Sequence, residues 1–451
     1  QAGITDGKII MLEPRRLAAR AAAERLAQGL GEHPGQTVGY RMRGDNTPGK
    51  RIEVVTEGIL TRMIQSDPEL TGVGAVIFDE FHERSLNADL GLALAWESRA
   101  VLRPDLIILV MSATLDAGPV AALLDDAPVI TSEGRSFPVT THFLDRAQPK
   151  TQRLENATAD LVASAVAETE GGVLVFLPGE GEIRRTAAML DGRLPKDCTI
   201  HPLYGALPFT EQRKAIAPVK SGRKIVLSTS IAETSLTIED IRVVIDAGRA
   251  RRARFDPGSG MSRLVTERVS KAEATQRAGR AGRVAPGDAY CLWTKGENGA
   301  LPAFAPAEIE AADLTGLALE LANWGSDDLT FLTPPPEGAL AEARALLHSL
   351  DALDASGRIT AHGRALAALP LHPRLAHMLQ VAGKTAAPLA ALLAARDPLR
   401  GAPVDLALRI TALKGRYDGP GERNHAALTQ IKSEVARLTR GLPDTPSLSL
   451  G

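Results

Sequence analysis

Ala75-Val76-Ile77-Phe78-Asp79-Glu80-Phe81-His82 sets the reading of the whole chain. Four apolar residues run straight into two adjacent carboxylates. A short apolar run bounded by polar residues fits a buried strand, which puts the carboxylates at its carboxyl end. In open parallel sheets that is where ligands bind. Two carboxylates there can divide the work of phosphoryl transfer. One holds Mg²⁺, directly or through water, and the other positions and deprotonates the attacking water. A strand that ends in an idle acidic turn is common too, so the octapeptide needs company.

Working outward, Ile9 to Leu12 and Ile52 to Thr56 read as strands, and Arg16 to Leu30 as a helix between them. Downstream, Leu106 to Met111 is a further strand. Strands alternating with helices predict a parallel sheet covered on both faces. After a linker near 145–151 the pattern restarts with Val173 to Leu177, Ile200 to Leu203, Lys224 to Leu227 and Val243 to Ile245. From about Ala300 the sequence turns Ala- and Leu-rich. Helices are expected from Leu314 to Asn323 and from Ala339 to Leu350, with a Pro-Pro-Pro break at 334–336 and turns at 324–325 and 357–363. The expected division is 1–145, 146–298 and 299–451, matching the three or so domains that 451 residues suggest.

Hydrophobic content of 44% and charged content of 24% are ordinary for a globular protein. No apolar run approaches the about 20 residues of a membrane helix, and no signal-peptide pattern opens the chain. The two cysteines, Cys198 and Cys291, are far apart, which argues against a disulfide framework or zinc site and fits a reducing cytosol. A net charge of −2 excludes a polycation that coats nucleic acid, so any such binding must use local basic clusters. The nine histidines form no metal-type set, and His362, His372 and His377 read as packing or surface residues.

Two further segments supply the company. Ser112-Ala113-Thr114 ends the strand after the acidic pair and brings two hydroxyls to the same sheet edge. Gln276-Arg277-Ala278-Gly279-Arg280-Ala281-Gly282-Arg283 spaces three arginines by three, so that they can project from one helical face. Guanidinium groups neutralise charge on a transferring phosphoryl group and are worth roughly 10³–10⁵ in rate. A basic solvated helix is the bland alternative, but each glycine there costs about 1 kcal/mol against alanine. Between 246 and 276, Arg249-Ala250-Arg251-Arg252-Ala253-Arg254 and the turn Asp256-Pro257-Gly258-Ser259-Gly260 favour a hairpin.

In order, these segments resemble the DEAH-box RNA helicases of superfamily two, most closely the bacterial HrpB-type subgroup. Glu13-Pro14-Arg15-Arg16-Leu17-Ala18 is similar to motif Ia and Thr56-Glu57-Gly58 to motif Ib. Asp79 to Ser85 resembles motif II, Ser112 to Thr114 motif III, and Phe176-Leu177-Pro178-Gly179 motif IV. Ser228 to Ile238 resembles motif V and Gln276 to Arg283 motif VI. The resemblance runs from Lys8 to about Leu379. It implies two tandem RecA-like parallel-sheet domains followed by a winged helix and a helical bundle.

The resemblance also implies a role for each residue. Asp79 would hold Mg²⁺ and Glu80 would act as base on the attacking water. His82, Ser112 and Thr114 would couple the nucleotide to domain movement. Gln276, Arg280 and Arg283 would contact the phosphates, with Asp246 a further nucleotide contact. Arg15, Arg16, Thr56 and Thr229 would lie along the RNA backbone, which positions a strand without reading its sequence. Thr234 and Ser235 would link that track to the γ-phosphate, and the hairpin would lie against the nucleic acid. The implied cofactors are ATP and Mg²⁺ and the implied partner is RNA, with DNA left open. An RNA-binding protein without NTPase activity and a translocase that does not unwind are the competing functions.

Three departures qualify the resemblance. Phe81 is bulky where most relatives carry alanine, as in the HrpB-type subgroup. Ile216 stands where related enzymes stack an aromatic on the base, so several NTPs are expected to serve. Third, no G-x-x-x-x-G-K-[ST] loop for the phosphates is found. Gly383-Lys384-Thr385 has Met378 in place of the first glycine and follows a helical pattern. With Gln1 in place of Met and a Pro/Ser-rich end, the expectation is an N- and C-terminally truncated helicase, deficient in hydrolysis by itself.

Overall fold

The computed structural model describes residues 3–442 except 114–116, 133, 135, 150, 220, 234–237, 327 and 441. The chain divides into two compact units, Gln1–Ala312 with Thr330–Pro334, and Asp313–Leu329 with Pro335–Gly451. The first unit carries two six-stranded sheets.

The first sheet contains β1 (Lys8–Leu12), β2 (Val38–Met42), β3 (Asp45–Thr47), β4 (Ile52–Val55), β5 (Val73–Phe78) and β6 (Ile107–Val110), in the order β3-β2-β4-β1-β5-β6. All pairings are parallel except the short β2–β3 pair. β5 forms because its residues suit a strand buried on both faces; Val76 and Phe78 are fully covered. The parallel register sets Leu12 opposite Phe78, so Glu13 and Asp79 emerge side by side beyond the strand ends. The Asp79 N–H donates to the Leu12 carbonyl at 3.0 Å.

The second sheet contains β7 (Val139–Leu144), β8 (Gly172–Phe176), β9 (Cys198–Leu203), β10 (Arg223–Ser228) and β11 (Ile241–Asp246). The hairpin strands β12 (Arg249–Asp256) and β13 (Met261–Arg268) follow, then β14 (Gly287–Thr294). Its order is β7-β14-β11-β8-β10-β9, and all its pairings are parallel. Phe176 is in register with both Ser228 and Asp246, so the segments after β8, β10 and β11 open on one edge.

Two expectations are corrected here. β7 belongs to the second sheet although it precedes residue 145, because it pairs with β14. The stretch near 145–151 therefore joins β7 to the helix Leu154–Glu168 inside one sheet domain. The helical region, expected from 299, begins at Asp313; residues 300–312 stay with the sheets. There the Glu308 N–H bonds the Arg84 carbonyl at 3.0 Å, and the Phe255 N–H bonds the Ala311 carbonyl at 2.9 Å.

The expected hairpin forms, with Arg249 opposite Arg268 and Asp256 opposite Met261. Asp256 makes the turn by accepting from the Gly258 N–H at 3.1 Å and the Ser259 hydroxyl at 3.0 Å. Arg251, Arg252, Arg254 and Arg268 of the hairpin are ion-paired. Arg254 is bidentate on Glu267 at 2.7 and 2.8 Å, and Arg251 reaches Glu182 at 3.1 Å.

The second unit is mainly helical, with helices that include Thr315–Trp324, Glu337–Ser349, Pro373–Ala382, Ala387–Leu393 and His425–Leu438. They close on a core of Leu379, Ala390, Ile431 and Leu438. Of the two expected turns, 324–325 appears, whereas 357–363 is a turn only at its start, because Ala361–Gly363 opens the helix Ala361–Ala367. Gly325 ends its helix at φ 86°, and Asp354 gathers Ser356 and Arg358 through their backbone N–H groups. Gly383-Lys384-Thr385 falls in a 3₁₀ turn directly after a helix, with the Thr385 hydroxyl bonded to the Ala382 carbonyl at 2.7 Å. It is a helix terminus, not a strand-to-helix phosphate loop. His362 pairs with His377 at 2.9 Å, and His372 with Asp313 at 3.0 Å. No described helix is long and apolar enough to cross a membrane.

Candidate active site

β5 delivers Asp79 and Glu80 to the sheet edge. The Glu80 N–H donates to Asp79 Oδ1 at 2.8 Å, and Glu80 itself takes the left-handed conformation at φ 50°. A non-glycine residue held there stores about 1–3 kcal/mol, and such strain persists only where neighbours enforce it. The enforcement comes from Phe81. Its N–H bonds the Met111 carbonyl at 3.1 Å, and its ring, 1% exposed, meets Phe78 edge-on at 6.3 Å. Burying such a ring contributes about 1.5–3 kcal/mol, which explains the bulky residue at this position. Burial pushes the Asp79 carboxyl above its ordinary range. Hydrogen bonds from Glu13 and the Glu80 N–H act against that shift, and the Glu80 charge adds to it.

His82 is the junction of the site. Its Nδ1 accepts from the Ala113 N–H at 3.4 Å, its Nε2 lies 2.9 Å from the Gln276 amide, and Glu80 is 3.5 Å from the same Nε2. With Nδ1 accepting, Nε2 carries the proton, and Gln276 is satisfied when its amide presents oxygen. One ring thus touches the acidic pair, the segment after β6 and the helix Lys271–Gly279 of the second sheet domain.

The arginine segment does not present three arginines on one face. The α-helix ends at Gly279 and a 3₁₀ turn, Arg280–Gly282, follows; it is the buried carboxylates of Glu233 and Asp246 that draw Arg277 away from the other two. Arg277, 1% exposed, points inward. Its Nε bonds Glu233 at 3.1 Å, its Nη1 bonds Asp246 at 2.9 Å, and its guanidinium lies 5.0 Å from the Phe176 ring centre. Arg280 instead donates Nε and Nη2 to the Glu233 carbonyl, the former at 2.9 Å. Burial and the neighbouring Arg283 charge lower Arg280 to about 9, and the Glu80 charge opposes this. Glu80 likewise acts on exposed Arg283. Gly282 is required by packing, since a Cβ there would lie 2.5 Å from the Phe137 carbonyl oxygen.

The other expected residues fall as follows. Asp246 is buried as the counter-ion of Arg277 and accepts from the Gly248 N–H at 2.8 Å. Arg15 bridges the two sheet domains, pairing with Glu83 at 3.1 Å and bonding the Ser230 carbonyl. Arg16 is exposed beside it, and Ser112 is exposed at the end of β6. Thr56 and Thr229, both half-buried, precede the helix Glu57–Ser66 and the turn Ser230–Ala232. Thr114, Thr234 and Ser235 lie outside the described residues.

Sequence reasoning missed Glu13, Glu57 and Glu233, all inside quoted motifs, because burial is invisible in a motif. Glu57 accepts from the Ser85 hydroxyl, and burial, with the Glu308 and Glu83 charges, raises it to about 7. A carboxyl raised on folding favours the folded state below its unfolded pKa, and that contribution is lost as pH climbs from about 4.5 to about 7. Glu57→Gln is therefore expected to be more stable than the parent by roughly 1–3 kcal/mol at pH 8 and level with it near pH 4.5. Urea unfolding at the two pH values checks this; an equal difference at both would contradict it.

Comparison with known proteins agrees with this geometry. A family model for the helicase conserved C-terminal domain matches residues 155–285, and one for the winged-helix helicase associated domain (HA2) matches 343–371. The chain belongs to the DEAH-box RNA helicase family. It is 52% identical over 412 residues to the ATP-dependent RNA helicase HrpB of Escherichia coli (strain K12), covering 89% of this chain and 50% of that one. It is 37% identical over 391 residues to the pre-mRNA-splicing factor ATP-dependent RNA helicase prp22 of Schizosaccharomyces pombe, covering 83% and 33%. Two crystal structures of the Escherichia coli HrpB protein, a DExH-box NTPase and DEAH/RHA helicase, align with TM-scores of 0.81 and 0.85 at 48% identity. They cover 96% of this chain and 53% and 55% of theirs. The chain thus spans about half the length of HrpB and a third of prp22.

Proposed function

We propose that this chain is the motor part of an NTP-dependent RNA helicase that couples ATP hydrolysis to movement along RNA or to its unwinding. The observation that carries the reading is the His82 junction, which ties the acidic pair of one sheet domain to Gln276 of the other. A group so placed transmits the state of the phosphates to domain closure. Glu80 is the base on the attacking water, and Gln276, Arg280 and Arg283 meet the phosphates.

The acidic pair fits Mg²⁺. Asp79 is half-buried beside a second, buried carboxylate, Glu13, and the partial burial lifts its pKa, the mark of a carboxylate short of positive charge. Among the described residues no group of three or more His, Cys, Asp or Glu could hold a metal. Asp79 would give the ion one ligand, with phosphate oxygens and water supplying the rest. When bound, the ion would neutralise charge on the phosphates.

Arg15, Arg16, Thr56 and Thr229 lie along the RNA, and Arg15 exchanges its Glu83 partner for a phosphate. DNA is accepted to the extent that backbone contacts dominate. Several NTPs serve, and the protein works in the cytosol, where its two cysteines stay reduced.

No stretch of the 451 residues matches G-x-x-x-x-G-K-[ST], so we expect this chain by itself to turn ATP over slowly. The test compares RNA-stimulated hydrolysis by the 451-residue chain and by a form carrying such a loop and its strand ahead of Gln1. The longer form is expected to be faster by roughly tenfold or more. Equal rates would overturn the hydrolysis deficiency. A longer form that folds and binds RNA yet stays inert would make the protein an RNA binder.

A further inference from the structure

Glu233 is 5% exposed and closes the turn Ser230–Ala232, with its N–H on the Ser230 carbonyl at 3.0 Å. It grips two arginines with two different groups. Its side-chain carboxylate takes Arg277 Nε at 3.1 Å, while its backbone carbonyl takes Arg280 Nε at 2.9 Å and Nη2 as well. Arg277 is in turn anchored on Asp246 and on the Phe176 ring, both at the ends of rigid strands. The carboxylate therefore locks the peptide at Glu233 against the sheet, and that peptide holds one edge of the Arg280 guanidinium. A planar fork fixed along one edge keeps a defined direction, and the Glu80 charge already acts on it.

We propose that Glu233 is a positioning residue for hydrolysis, aligning Arg280 with the phosphates through its grip on Arg277. The inference rests on the reading of Arg280 given above. The charged groups that act on the Glu233 carboxylate are Arg277 and Glu273 on the helix Lys271–Gly279 and Arg15 before the helix Arg16–Gly29, while Asp246 at the end of β11 takes another nitrogen of Arg277. Burial holds the carboxyl up at about 6, against the pull of Arg277. Protonation below that pH weakens the grip, so turnover should fall as pH drops through about 6.

The test measures ATPase pH profiles, kcat and KM in the full natural polypeptide, for wild type, Glu233→Gln and Arg280→Ala. Glu233→Gln keeps the backbone carbonyl and leaves Arg277 balanced by Asp246, so folding should survive. Its kcat is expected to drop about tenfold with KM for ATP within about twofold, and its acid limb near pH 6 should vanish. Unchanged kcat, a persisting acid limb, or a loss confined to KM each overturns the proposal. If Glu233→Gln does not fold, Glu233→Asp replaces it: the charge is kept but the reach is shorter. Reduced kcat with the acid limb retained then supports the proposal, and wild-type kcat overturns it. Arg280→Ala separates the two readings. If that variant turns over like wild type, the phosphate role of Arg280 fails; if it is dead while Glu233→Gln is normal, only the positioning role fails.

Discussion

Glu80→Gln is expected to lower RNA-stimulated ATP turnover by about 10²–10⁴-fold, the usual worth of a positioned general base. Affinity for RNA and nucleotide should hardly move. Glutamine matches the shape of glutamate and occupies the same left-handed backbone site, so the φ 50° conformation enforced by Phe81 is unaltered. The Glu80 N–H still bonds Asp79, because that contact uses the backbone. What is lost is the capacity to take a proton from water. The side chain lies 3.5 Å from His82 Nε2 and faces the charges of Arg280 and Arg283, so its removal also leaves less negative charge opposite two arginines. Nucleotide should therefore bind the variant at least as well as the parent, giving a trapped complex in place of a weak one. Single-turnover hydrolysis with direct binding measurements decides the matter. A variant that retains the parental rate would remove Glu80 from the chemistry.

Why the acidic pair was legible while its supports were not follows from what a linear pattern can encode. β5 and β8 are strongly apolar because both faces are buried, and their carboxyl ends were placed correctly from that run alone. β2, β7 and β14 escaped. Val38-Gly39-Tyr40-Arg41-Met42 mixes glycine and arginine into a strand, and β7 is an edge strand whose Thr140 and Thr141 are exposed, so no strand was read there. Its place beside β14 is a pairing over some 146 residues of sequence, as the 2.8 Å contact of His142 with Asp288 illustrates. Nothing local announces such a partner. The hairpin was legible because turn residues act locally through Asp256. The arginine segment shows the limit most clearly: spacing pointed to one face, but Arg277 turns inward to the buried carboxylates of Glu233 and Asp246 and the Phe176 ring, which no local pattern encodes. Asp246 was rightly put at a strand end, yet its partner was a guanidinium 31 residues away.

Arg277→Met is expected to destabilise the second sheet domain by about 3–5 kcal/mol at neutral pH, the cost of breaking a buried ion pair from one side. The side chain is 1% exposed and its charge answers two carboxylates, Glu233 and Asp246, which are 5% and 3% exposed. Asp246 Oδ2 has no hydrogen-bond partner among the described residues, so that carboxylate leans on Arg277 more than its other contacts suggest. Burial already raises the pKa of both acids while Arg277 pulls them down. Without the guanidinium both rise further and bind protons on folding. The deficit should therefore be largest at pH 8 and shrink as pH falls toward 5. Methionine fills most of the volume beside Phe176, so lost packing is the smaller part. The discriminating variant adds Glu233→Gln and Asp246→Asn to Arg277→Met, removing all three charges together. If unpaired charge is the cause, the triple variant recovers most of the stability, because a neutral network of similar volume carries no desolvated ion. Thermal unfolding should place the single variant roughly 10 °C below the parent and the triple variant close to it. A triple variant no more stable than the single one would show that Arg277 acts through packing on Phe176, and the ion network would lose its structural role.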